Sequence, residues 1–344
     1  MQIYKKVFRP LLFRFSPEHA QAAADFFLKQ SFFKSALSHY FDYFNPRLAV
    51  SAGNVTYPSP VGVAAGYDKN CRFIDGLLSL GFGYVVAGTV TVQPRAGNPS
   101  PRLLRLPSRE AIINALGFPG KGLKSAKDYL QDAQMRQRGS GKPIIVSVSG
   151  LKIQEFVDCQ KTLQPFVDGV ELNISSPNTE GIRTFQDPYN FEALILALNE
   201  SRIKPLLVKM PPYFDELGKE RILRLVSIAA KEGVDGITVA NTHPIKETKL
   251  AVGHGGLSGK PLLWKTLEMI KEIRLEVGKG MAVHACGGIF TCEDAIEAIR
   301  AGANTVQLLT GLIYEGPSVA KNISLGLIKY MDQKGIKTVQ DLAK

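Results

Sequence analysis

Eight short apolar runs, rich in β-branched residues and spread over most of the chain, constrain the fold more than any other feature of this sequence. They cover residues 61–65, 84–88, 143–149, 169–175, 205–210, 236–241, 281–286 and 305–310. Within each run the hydrophobicity is continuous rather than alternating. That marks strands buried on both faces, and hence a parallel sheet. Each run leads into an amphipathic helical stretch, directly or through a long loop. An α/β chain with eight such units predicts a closed (β/α)8 TIM barrel in preference to an open doubly wound sheet. The gap from Thr89 to about Pro119 is too long for a plain connection and predicts a hairpin with a substrate-covering loop.

A length of 344 residues leaves room for an appendage, and the sequence places it at the start. The expected division is a helical extension over residues 1–45 and a barrel over 46–344. Ser16-Pro17-Glu18 reads as a helix start, with a side-chain cap, a proline in the first turn and an acid at the positive end of the dipole. This helix should run to about Gln30. A second begins near Ser31 and sets Phe33, Leu37, Tyr40, Phe41 and Phe44 on one face. With Lys5, Lys6, Arg9 and Arg14 nearby, the aromatic face suits a membrane interface. Packing against the main domain suits it equally. No run approaches the roughly 18 apolar residues of a membrane span, and the charged start does not read as a signal peptide.

A formal charge of +11 admits nucleic acid, an anionic membrane surface or acidic ligands as partners. Nucleic acid is not expected, because no basic run interleaves with aromatics and no recognition motif occurs. Cys71, Cys159, Cys286 and Cys292 are scattered, without CxxC or Cys/His pairing, so neither a disulfide framework nor a metal centre is expected. His243, His254 and His284 lie near the sixth and seventh strand ends but lack partners at ligand spacing.

Polar and glycine residues collect where the runs end: Gly66 and Lys69, Thr89, Ser147, Asn173 and Ser176, Lys209, Asn241 and Thr242, Gly287 and Gly288, and Thr310. The C-terminal face of a barrel is where its chemistry sits. Glycines after strands seven and eight let backbone N–H groups approach a phosphate there. The stretch 255–259, read as a turn, offers further donors. No GxGxxG and no Walker loop occurs. The densest segment is ELNISSPNTEGIR, residues 171–183, whose amides and hydroxyls suit a planar imide- or amide-like ligand. Taken alone, its Ser-Pro-Asn is equally a capped turn.

That segment resembles the active-site loop of dihydroorotate dehydrogenases. AAGYDKN (64–70), GTVTVQPRAGNPSPRLLRL (88–106), IINALGF (112–118), LVKMPP (207–212), VANT (239–242) and GGLSGKPL (255–262) resemble the same family in the same order. The resemblance implies an FMN enzyme oxidising dihydroorotate to orotate in pyrimidine biosynthesis. It makes Ser176 the base that takes the C5 proton while hydride leaves C6, with Thr179 and Phe118 at the proton path and its gate. It assigns Lys69, Asn114, Asn173, Asn178, Asn241 and Thr242 to the substrate. Ala65, Gly66, Thr89, Ser147, Asn173, Lys209, Ser258, Gly259, Gly287, Gly288, Leu309 and Thr310 would line the FMN.

Serine at 176 and the N-terminal helices resemble the membrane-associated, quinone-reducing class 2. That implies a quinone partner and a peripheral location, on a bacterial cytoplasmic membrane rather than a mitochondrial one. Segments 146–156 and 209–216 are instead similar to the soluble class 1, which uses fumarate or a partner subunit. Ser147, Ala240, Leu309 and Pro119-Gly120 depart from the class 2 pattern at asparagine, threonine, tyrosine and asparagine-containing positions. Those departures leave open a non-catalytic, flavin-binding membrane protein.

Overall fold

The computed structural model describes residues 3–137, 139–179 and 181–343, with residues 31–35 described by backbone alone. The eight runs form β1 (Val61–Val63), β2 (Tyr84–Val90), β3 (Ile144–Val148), β4 (Gly169–Asn173), β5 (Leu206–Lys209), β6 (Gly236–Val239), β7 (Ala282–Cys286) and β8 (Thr305–Leu308). Each pairs in parallel with its sequence neighbour, and β8 closes on β1. The barrel is therefore wound in sequence order, the topology of a TIM barrel. All strands but β2 are shorter than their apolar stretches, while β2 continues past its run to Val90. The eighth stops at Leu308, because Thr310 already opens a helix over Thr310–Glu315.

Side chains fill the barrel. The Tyr84 ring lies over Gly62 on the neighbouring strand, where a Cβ would stand 2.3 Å from it, and its hydroxyl hydrogen-bonds Thr305 Oγ1 on β8 at 2.6 Å. Tyr57 ends an antiparallel hairpin (Val50–Ala52 with Val55–Tyr57) at the N-terminal mouth, and its ring packs on Tyr84 at 4.7 Å.

The expected hairpin is present as Leu103–Leu106 paired with Ala111–Asn114. The supposed turn at 255–259 is not a turn. His254–Gly259 is a strand held between Ala111–Asn114 and His243–Lys246, giving a four-stranded antiparallel sheet. Glycines carry little strand propensity of their own. Here the two neighbouring strands impose the conformation and take up most of the backbone donors.

The N-terminal extension holds a π-helical turn (Tyr4–Phe8), an α-helical turn (Arg9–Phe13), α1 (Pro17–Lys29) and α2 (Ser31–Phe41). Ser16 caps α1 as its sequence requires, accepting from the His19 amide at 3.3 Å. The single aromatic face is corrected by the structure. Phe41 is buried in the barrel's core cluster and Leu37 packs against it, whereas Tyr40 is 68% and Phe44 74% exposed. Leu37 and Phe41, four residues apart, share a stripe; Tyr40 falls about 100° away and Phe44 lies beyond the helix end. The Phe33 side chain lies outside the described residues. Among the described residues no helix is long and apolar enough to cross a membrane.

Candidate active site

The strand ends are laced together by side chains. Asn173, last in β4, donates to Thr89 Oγ1 at 3.0 Å, and that hydroxyl lies 3.1 Å from Ser147 Oγ. Ser175 Oγ donates to Asn173 Oδ1 at 3.1 Å and receives Asn241 Nδ2 at 2.9 Å. Ends of β2, β3, β4 and β6 thus share one network in which each buried amide or hydroxyl holds the next. Lys209 is the register partner of Asn173, is buried, and donates to Cys286 Sγ at 3.5 Å. Burial opposes its charge, yet the contact with Cys286 and the charge of Glu171 leave the ammonium above the ordinary lysine value. The cation therefore persists in a dry site.

Beside this network stands the loop carrying Ser176. Its hydroxyl is buried, lies 3.4 Å from Thr179 Oγ1 and accepts from the Asn178 amide at 3.4 Å. Asn178 Nδ2 donates to Asn114 Oδ1 and to the Asn114 carbonyl, while Asn114 Nδ2 donates to the Gly256 carbonyl at 3.2 Å. The antiparallel sheet is in this way bound to the Ser176 loop. A Cβ at Gly256 would strike Thr242 Oγ1 and touch Pro177, so only glycine lets these three segments meet. Two buried polar atoms here have no protein partner, Asn178 Oδ1 and Thr242 Oγ1. Native proteins rarely strand such groups, and a polar ligand between them would satisfy both. Phe118 adopts φ +57°, uncommon for a bulky residue and costing on the order of 1 kcal/mol, which suits a side chain held in place over a site.

Lys69 faces a cavity of about 370 Å³ under α1, lined in part by Asp25, Asp68, Arg95, Arg102 and Pro119. It forms no hydrogen bond or ion pair with another described residue, so its donors stay available to an anion. Burial lowers its pKa, and Asp25 and Asp68 counter this. Asp25 is itself pushed up to about 6 by burial and by Asp68, with one carboxyl oxygen buried and unpartnered. The sign follows from linkage. An acid whose folded pKa is raised costs nothing below its ordinary 3.8, and the cost grows until the pH passes about 6. Asp25→Asn should therefore raise the melting temperature above pH 6, with the gain fading as the pH falls toward 4. Thermal melts across that range read it, and a gain equal at pH 4 and pH 8 would discard the assignment.

The remaining residues assigned to the flavin side come together at β1, β7 and β8. Gly66 and Leu309 are neighbours: a Cβ on Gly66 would lie 3.4 Å from Leu309 Cδ1. Ala65 precedes Gly66, half-buried in the turn after β1. Ser258 Oγ pairs with Thr310 Oγ1 at 2.9 Å, tying the antiparallel sheet to the start of the helix after β8. At Gly288 (φ +78°) a Cβ would stand 2.4 Å from the Leu263 amide, and at Gly259 (φ +104°) 2.4 Å from the Glu110 carbonyl. These glycines are demanded by close backbone approach as well as by any phosphate. Of the departures, Ser147 hydrogen-bonds Thr89 and Leu309 presents an apolar surface to Gly66.

Ser175, read in the sequence as one of the polar groups of its segment, bridges Asn173 and Asn241. Two contributors escaped the sequence reading. Asn98 donates to the carbonyls of Ala115 and Asn178, fixing both loops. Glu171 sits wholly buried below Asn173. A carboxylate inside an apolar strand was the available signal for the last.

A family model for dihydroorotate dehydrogenase matches residues 47–331. A protein of Thermus thermophilus, named dihydroorotate dehydrogenase (quinone), is 36% identical over 310 residues, covering 87% of this chain and 88% of that protein. One of a Chelativorans species with the same name is 34% identical, covering 99% of this chain and 96% of its own. Among solved structures, DHODH of Eimeria tenella in complex with ferulenol aligns with a TM-score of 0.83 at 30% identity, over 95% of this chain and 94% of that one. The barrel, the asparagine network and the serine loop thus occur together in a chain that belongs to the dihydroorotate dehydrogenase family.

Proposed function

We propose that this chain oxidises dihydroorotate to orotate with FMN as its resident flavin and passes the electrons to a quinone at a membrane surface. The observation that carries this reading is the buried Ser176 hydroxyl beside two stranded polar atoms, Asn178 Oδ1 and Thr242 Oγ1. An imide-like ring offers those atoms a donor, and Lys69 is free to meet its carboxylate. The residues present also suit FMN: Lys209 for the pyrimidine edge, Thr89, Ser147 and Asn173 as polar contacts, and the glycine-rich ends of β7 and β8 for the phosphate. When bound, FMN supplies the two-electron oxidant.

The chain's own residues do the rest. Ser176 takes the C5 proton, and Thr179 stands within reach to pass it on. Phe118 and the Ser176 loop keep water out, which raises the worth of every polar contact inside. Lys209 offers a fixed positive charge where negative charge develops. The relatives named above are quinone-linked by name, which favours quinone over fumarate or a partner subunit. Retention of Ser176, Lys69 and the four site asparagines disfavours a non-catalytic role.

The test is a direct assay. The purified protein should be yellow, release FMN on denaturation, and oxidise dihydroorotate faster with a quinone than with fumarate. A protein that takes up no FMN on reconstitution ends the reading. Faster turnover with fumarate moves it to the soluble class.

A further inference from the structure

Below the flavin-facing strand ends, the barrel axis holds a carboxylate. Glu171 is fully buried on β4, two residues before Asn173, so the two point to the same inward face. Its Oε2 accepts from Thr238 Oγ1 at 2.7 Å, while Oε1 is buried with no partner. On β5, Lys209 has Thr238 of β6 as its register partner on one side and Asn173 of β4 on the other. Lys209 is thus flanked by the threonine that holds the Glu171 carboxylate and by the strand that carries it. Its own ammonium makes one long contact, to Cys286.

We propose that Glu171 is a positioning residue for Lys209, sustaining the charge that the ammonium offers the flavin pyrimidine without touching cofactor or substrate. The inference rests on the FMN reading above. A lone buried ammonium would shed its proton, and a lone buried carboxylate oxygen would be left without a donor. Glu171 offsets the first cost through its charge, which favours the protonated ammonium, while its Oε1 keeps no hydrogen-bond donor of its own.

Other groups around the pair do not supply the counter-charge. Cys286 on β7 is pushed up by burial and stays a neutral thiol near pH 7. His284 on β7 is pushed down to about 3 by burial and stays neutral. Tyr57 and Tyr84 are kept protonated by burial. Among the described residues that act on Lys209, Glu171 is the anion that remains.

FMN dissociation constants, read by quenching of flavin fluorescence, test this in wild type and Glu171→Gln at pH 6 and pH 9. The expected ratio of variant to wild type is near one at pH 6 and about tenfold at pH 9, because one unit of pKa is a factor of ten in the charged fraction. A ratio that is the same at both pH values overturns the proposal, since a merely structural role would weaken binding equally. The same pH break in Cys286→Ala but not in Glu171→Gln would give the role to the thiol instead. If wild type binds no FMN, the functional reading fails and the pair is judged on melting alone. Glu171→Gln/Lys209→Met should then melt higher than Glu171→Gln, because removing both members strands no charge. A double variant that melts no higher, or does not fold, overturns the proposal.

Discussion

Ser176→Ala is expected to slow reduction of the bound flavin by dihydroorotate by ~10²–10⁴-fold in a single turnover, the usual contribution of a general base. On the proposed reading, the setting of Ser176 lets so weak a base suffice. Its hydroxyl is buried, accepts from the Asn178 amide, and stands 3.4 Å from Thr179 Oγ1, the group proposed to take the proton onward. Serine in bulk water does not take a carbon-bound proton. In a closed site, an amide aimed at the oxygen stabilises the charge that develops on it. Orotate affinity should stay close to wild type, because on the proposed reading Asn114, Asn173, Asn178, Asn241 and Thr242 hold the ring. Ser176→Cys should keep part of the rate with a pH profile moved toward neutrality, since a thiol titrates far below a hydroxyl. Lys69→Ala should behave the opposite way, weakening orotate while sparing the reduction step at saturating substrate. Stopped-flow flavin bleaching beside orotate titration separates the two. If Ser176→Ala bleaches as fast as wild type, another group is the base.

Much of this site was legible in the sequence because a parallel barrel writes its own map. Strands buried on both faces appear as unbroken apolar runs, and chemistry at the C-terminal mouth appears as polar residues where each run stops. Asn173, Lys209 and Asn241 were found by position alone, while their roles needed the family resemblance. What failed to show depended on partners remote in the chain. The 255–259 stretch is a strand only because Ala111–Asn114 and His243–Lys246 flank it. A helical wheel of α2 could show that Phe41 and Leu37 share a stripe, yet not that the barrel covers it and leaves Tyr40 outside. Glu171 looks like a polar lapse in an apolar run until Thr238 and Lys209 arrive from strands more than thirty residues away.

The acceptor side gives the other large effect: deleting residues 1–15 should cut turnover with a membrane-embedded quinone by at least about tenfold, roughly 1.4 kcal/mol of lost access. Residues 4–13 of the segment cover the short helix after β8, Thr310–Glu315. Tyr4 donates to the Ile313 carbonyl at 2.7 Å, Arg9 to that of Tyr314 at 3.1 Å, and Phe13 packs edge-on against Tyr314 at 5.3 Å. Leu309 stands at the N-terminal end of that helix and faces Gly66. Outward the segment presents Ile3, Val7, Phe8, Leu11 and Phe15 to solvent, with Lys6 and Arg14 among them. Apolar side chains interspersed with cations suit the headgroup boundary of an anionic bilayer. A cut at residue 45 would not test this. It would also pull Leu28 and Phe41 from the core cluster, at ~2–5 kcal/mol for each large side chain lost. Stopping at residue 15 keeps both anchors and opens Glu315, the partner of Lys5, to water rather than stranding it. Reduction of the flavin by dihydroorotate should be unchanged, as should turnover with a short, water-soluble quinone. Loss confined to quinone in vesicles locates the effect at the membrane. Equal turnover of the truncated and full-length proteins on those vesicles would remove the segment from the acceptor path.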